Sequence, residues 1–139
     1  MINRVLYIDG KNIPQSQNAI AINALEMMGF EYFHVPSFKR AKIKIGEYKK
    51  DGNRRYNGVI FGGAVSSTNR SVVHSYQGIP RLLEECLKTQ TPSLFISNGE
   101  PKNISDLARE KATLFVDGSE VKRKEDYFKI FKKVFGDNK

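Results

Sequence analysis

Tryptophan is absent from this chain, cysteine occurs once (Cys86), and histidine occurs only twice (His34 and His74). A lone cysteine excludes an internal disulfide and any cysteine-rich zinc site. Two histidines, one inside an apolar run and one in a polar stretch, leave little material for a nucleophile and an oriented base. No apolar run approaches the roughly 20 residues needed to cross a bilayer. The N-terminal stretch Met1 to Asp9 meets charge too early to be a signal peptide. The expectation is a cytoplasmic protein without membrane contact. Carboxylates are in the minority, with 15 Asp and Glu against 23 Lys and Arg, a formal net charge of +8.

What is present is a chain of 139 residues, 40% hydrophobic and 27% charged, which suits one domain over residues 1–139 with a real core. The positive excess is concentrated. Lys39, Arg40, Lys42, Lys44, Lys49, Lys50, Arg54 and Arg55 are opposed only by Glu47 and Asp51. Such a segment fits an anionic partner, nucleic acid included, or simply a well-hydrated edge.

Read in order, the chain alternates apolar runs with helical periodicity. Strands are expected at Arg4 to Asp9 (RVLYID), Glu31 to Val35 (EYFHV), Val59 to Phe61, Pro92 to Ser97 (PSLFIS) and Ala112 to Val116 (ATLFV). The third is short, wholly apolar and closed by Gly62 and Gly63, as a buried central strand should be. Helices are expected from about Ser16 to Met28, from Gly78 to Leu87 with Pro80 in its first turn, from a cap at Ser105 to Lys111, and from Lys124 to Phe135. Met27 is placed on the apolar stripe of the first of these, and Leu87 on that of the second, beside Cys86 as a small core residue. The basic segment reads as a short helix or an extended edge, and residues 64–75, rich in Ser, Thr and Asn, as a loop. Five strands with long crossovers predict a three-layer α/β/α sandwich around a parallel sheet.

In that architecture ligands gather beyond the carboxyl ends of the strands. The residues there are Asp9 and Gly10, Pro36, Gly62 and Gly63, Ser97 and Asn98, and Asp117 and Gly118. Asp9 and Asp117 are the only carboxylates among them. They are the basis for an alternative reading as a metal-dependent nuclease or hydrolase, a chemistry that ordinarily needs a larger cluster of oxygens. Ser97 has the look of a nucleophile at a strand-to-helix turn, yet no histidine follows it. Neither Gly10 nor Gly62 opens a phosphate-binding glycine pattern.

Taken together, residues 5–9, 25–30 (LEMMGF), 57–61, Gly78 with Leu82 and Leu83, 92–97 and 112–116 resemble a bacterial response-regulator receiver domain. The resemblance implies a flavodoxin-like or CheY-like five-stranded sheet in the order 2-1-3-4-5. It also implies a site position by position. Asp9 matches the first acidic residue, while the second falls on Gly10 and the phosphoacceptor on Gly62. Ser97 fits the hydroxyl position, Phe115 the aromatic switch without its phenol hydroxyl, and Gly118 and Ser119 stand where a Lys-Pro pair is usual.

Aspartyl phosphorylation needs the nucleophilic carboxylate, carboxylates for Mg²⁺ and a cation to neutralise the product. The chain therefore resembles a degenerate receiver, similar to the N-terminal domains of flagellar and biofilm regulators of the enhancer-binding class. The resemblance implies phosphorylation-independent regulation of transcription through a partner protein or a homodimer, with no enzymatic activity and no cofactor. The face made by the fourth helix, fifth strand and fifth helix would carry it, with Asp106, Arg109, Glu110, Lys122, Arg123, Lys129 and Lys133. A second alternative is a nucleic-acid-binding module using residues 39–55.

Overall fold

The computed structural model describes residues 4–9, 16–47, 55–62, 65–66 and 74–136. The chain runs β1 (Arg4–Ile8), α1 (Ser16–Met27), β2 (Glu31–Val35), α2 (Phe38–Ile45) and β3 (Gly58–Phe61). It continues through β4 (Val65–Ser66), β5 (His74–Ser75), α3 (Ile79–Lys88), β6 (Ser93–Ser97), α4 (Lys102–Lys111), β7 (Leu114–Asp117) and α5 (Lys124–Phe135).

The five longer strands form one sheet in the order β2-β1-β3-β6-β7, every pairing parallel. Counting those strands alone gives 2-1-3-4-5, as the resemblance implied. A parallel sheet must be covered on both faces, and the side-chain alternation of the strands divides the core accordingly. Leu6, Ile8, Val59, Phe61 and Phe95 face one way and pack with α2, α3 and α4. Val5, Tyr7, Ile60, Leu94 and Ile96 face the other way and pack with α1 and α5. All four residues of β3 are buried, as expected of the central strand.

Local sequence explains the helix ends. Gly29 takes a left-handed φ of 85° after α1, where a Cβ would be strained. Asp126, in the first turn of α5, reaches back to accept from the backbone N–H of Lys122 and Arg123, one arm of a capping box.

Three expectations need correction. The polar stretch 64–75 is not all loop, because β4 and β5 within it pair antiparallel as a separate two-stranded hairpin. The helix expected to be capped by Ser105 has its N-cap four residues earlier, at Pro101, and starts at Lys102, which places Ser105 inside its first turn. Met27 and Leu87 are on solvent-facing flanks, 60% and 50% exposed. Each lies beside the buried stripe and not on it: Cys86, next to Leu87, is buried, and Met28, next to Met27, packs against the core. The basic segment resolves to α2, an eight-residue helix capped by Ser37, whose hydroxyl accepts from the Arg40 N–H.

Aromatic side chains tie three strands together. Phe61, Phe95 and Phe115 are register partners on β3, β6 and β7, with ring centroids 6.0 Å and then 5.5 Å apart, the second pair nearly parallel at 5°. Phe95→Ala removes the middle ring and should lower the free energy of unfolding by about 3–5 kcal/mol, read from urea denaturation.

Candidate functional site

The carboxyl ends of the strands bring Asp9, Gly62, Ser97 and Asp117 to one crest of the sheet, after β1 and β3 and at the ends of β6 and β7. Gly118, buried, opens a 3-10 turn beyond β7. Gly10 lies outside the described residues.

The centre of the crest is filled. A Cβ built on Gly62 would lie 2.8 Å from Tyr7 Cε1 and 3.2 Å from Asp9 Oδ2. Tyr7 and Asp9 are almost wholly buried, and Gly62 is pinned by its N–H donating to the Ile8 carbonyl at 2.8 Å. The ring and the carboxylate thus take the space that any side chain at position 62 would need. Burial, then Tyr127 and Asp9, push the Tyr7 hydroxyl well above the usual tyrosine range, so the ring stays neutral. On the flank, the His34 ring donates from Nε2 to the Asp9 carbonyl oxygen at 2.6 Å, fixing the end of β1 against β2.

The turn after β6 is closed by Glu100, a residue to which the sequence, beyond the likeness of Gly99-Glu-Pro101 to those enhancer-binding regulators, assigned no role. Glu100 Oε2 accepts from the hydroxyls of Ser97 and Ser105, each at 2.5 Å, and Glu100 Oε1 accepts from the Asn98 N–H at 2.8 Å. Tyr76 donates its hydroxyl to the Asn98 carbonyl at 3.1 Å, laying a second unanticipated side chain against the same turn. Partial burial alone would raise the Glu100 pKa. The hydrogen bonds from Ser105, Ser97 and Asn98 outweigh that and hold it below the ordinary carboxylate range. Ser97, the expected hydroxyl position, therefore has its proton committed to Glu100. The only sequence signal for this was Glu100 itself, a carboxylate in the turn between Gly99 and Pro101.

The Asp9–Asp117 pair does not assemble. β1 and β7 are separated by β3 and β6, three strand spacings or roughly 14 Å. Asp117 is exposed and accepts from the Ser119 N–H and hydroxyl at 2.9 and 2.8 Å, which lowers its pKa. Two carboxylates so placed do not share one metal ion. His34, on β2, is equally three strands from Ser97 on β6, so the structure sets no base beside that hydroxyl from β2.

Phe115, at the aromatic switch position, is half-buried and makes two ring contacts: Phe95 stacks against it, and the Arg109 guanidinium lies over its ring, 4.4 Å from the centroid. Around the β7 edge, Lys102 pairs with Asp106 at 2.9 Å, while Glu110, Lys122, Arg123, Lys129 and Lys133 are exposed. In the basic segment, Lys39, Arg40, Lys42 and Lys44 lie on α2. Glu47 pairs with both Lys44 and Arg55, each at 3.2 Å. Lys49, Lys50 and Arg54 are outside the described residues.

A five-stranded parallel sheet in this order, wrapped by five helices, is the fold of CheY-like response-regulator receiver domains. Solved structures agree. The Vibrio cholerae chemotaxis protein CheY4 is 16% identical, with a TM-score of 0.62 over 96% of this chain and 99% of that one. A CheY-like receiver domain protein from Methanospirillum hungatei is 15% identical, with a TM-score of 0.63 over 96% and 93%. The receiver domain of a Pseudomonas aeruginosa sensor histidine kinase, solved with a magnesium ion in its active-site cleft, is 10% identical, with a TM-score of 0.63 over 98% and 99%. At such identities the likeness is one of fold. No family model and no curated protein matches the sequence.

Two measurements test the crest. Gly62→Ala should lower the unfolding free energy by about 1–3 kcal/mol, because the buried Tyr7 ring must shift to admit a methyl group. Glu100→Gln should lower it by about 1–2 kcal/mol at neutral pH. Since the Glu100 pKa is depressed on folding, its contribution is full above the unfolded carboxylate value, about 4, and is lost as pH falls through the folded value. The gap between wild type and Glu100→Gln in urea titrations should therefore close below about pH 4.

Proposed function

We propose that this chain is a receiver-like regulatory module that works without phosphorylation, through self-association or a partner protein, and that it regulates transcription from the cytoplasm. The observation that carries the reading is the filled crest: position 62 is a glycine with no room for a side chain between Tyr7 and Asp9. Beyond β7 stands Gly118 in place of a cation, and the Ser97 hydroxyl already serves Glu100. An aspartyl-phosphate cycle needs a nucleophilic carboxylate and a counter-cation, and positions 62 and 118 supply neither. A carboxylate that already holds the hydroxyl gives the β6–α4 turn a fixed conformation without an incoming anion.

The surface around β7 is the candidate contact face in this reading. β7 is the edge of the sheet, its residues Leu114, Phe115 and Val116 are only half-buried, and charges of both signs stand on α4 and α5 beside it. Pairs across such a rim steer association more than they strengthen it.

Exposure to acetyl phosphate, or to beryllofluoride with Mg²⁺, should give neither a mass gain nor a shift in amide spectra; stoichiometric labelling would sink the reading. In sedimentation experiments at low salt, Lys129→Glu with Lys133→Glu should shift the self-association midpoint by roughly tenfold while leaving thermal unfolding unchanged.

A further inference from the structure

The helix α2 has a composition that the receiver-like reading does not use. Its eight residues include Lys39, Arg40, Lys42 and Lys44 and no carboxylate. Ala41 and Ile45 turn into the core, four residues apart on one face. The opposite flank presents Ile43, 62% exposed, between cations. A groove of about 560 Å³ runs there, lined among the described residues by Phe38, Lys39, Lys42 and Ile43. Among the described residues Lys44 pairs with Glu47, and no ion pair involves Lys39, Arg40 or Lys42.

We infer that this groove docks an acidic peptide segment of a partner protein, its carboxylates meeting Lys39, Arg40 and Lys42 and an apolar side chain seating against Ile43 and Phe38. Charge complementarity selects the sign of the occupant, since three exposed cations on one short helix that holds no carboxylate attract an anion and repel a second copy of the same helix. The apolar lining selects its kind. Phosphate backbones are held by cations and by free aromatic faces on which bases stack. Here the one ring in the groove is wedged against the start of α3, where a Cβ on Gly78 would come within 2.6 Å of Phe38 Cδ1. It is edge-packed and not splayed for stacking, and Ile43 offers a contact that a phosphate cannot use. A peptide that alternates carboxylates with an apolar anchor uses both features. This face lies on α2, on the side of the sheet away from the β7 edge, so the inference stands or falls independently of phosphorylation and of self-association.

The test titrates the full chain, isotopically labelled, with a synthetic peptide of about twelve residues made of glutamates and two leucines four apart. Saturable amide shifts centred on residues 38–43 are expected. Lys39→Glu with Lys42→Glu should weaken binding by roughly tenfold or more, and Ile43→Ser by about threefold or more, with thermal unfolding unchanged because all three side chains are exposed. Three outcomes overturn the inference. They are the absence of saturable binding, equal binding of an all-glutamate peptide, and tighter binding of an oligonucleotide to the same residues.

Discussion

The fold depends on one constraint, that a parallel sheet must be buried on both faces. β3 is the strand that expresses it most fully, with Gly58, Val59, Ile60 and Phe61 all buried between β1 and β6. Each pair of neighbouring parallel strands needs a crossover, and the crossovers supply the helices that cover the sheet. Two apolar clusters follow, one under α2, α3 and α4 and one under α1 and α5. With the layers fixed, the ends of β1, β3, β6 and β7 necessarily meet at a common crest.

What occupies that crest decides the chemistry open to it. Tyr7 and Asp9 close the space over Gly62, and Glu100 collects two hydroxyls and an N–H at the next turn. The Ser97 and Ser105 hydroxyls, the Glu100 carboxylate and the Asn98 N–H and carbonyl of the β6–α4 turn are all paired within the chain. The same holds on the far side, where Asp117 is occupied by Ser119. A site whose polar groups already serve one another is suited to holding a shape. That is why surfaces, the β7 edge and the α2 flank, carry the functional reading.

Much of this was legible beforehand. The apolar runs gave all five long strands to within two residues, and the crest residues Asp9, Gly62, Ser97 and Gly118 fell where strand ends were expected. The departures have local causes. Ser105 looked like a cap because a serine beginning a helical pattern usually is one, but Pro101 stands at the N-cap of that helix and Ser105 turns its hydroxyl toward Glu100. Residues 64–75 carry no apolar alternation, so the short β4–β5 hairpin had no sequence signal to announce it. Asp9 and Asp117 looked like a pair because strand ends converge, but sheet order sets them three strands apart.

The sequence by itself determined the architecture, since periodicity, glycines at turns and wholly apolar strands depend on neighbours a few residues away. It also determined that position 62 carries no reactive group. Only the tertiary structure decided that nothing fits there. That conclusion rests on the distance between Gly62 and the ring of Tyr7, 55 residues away in the chain. The same is true of the Glu100 turn against Tyr76, and of Arg109 over Phe115. Contacts of this kind depend on packing across strands, which no local pattern encodes.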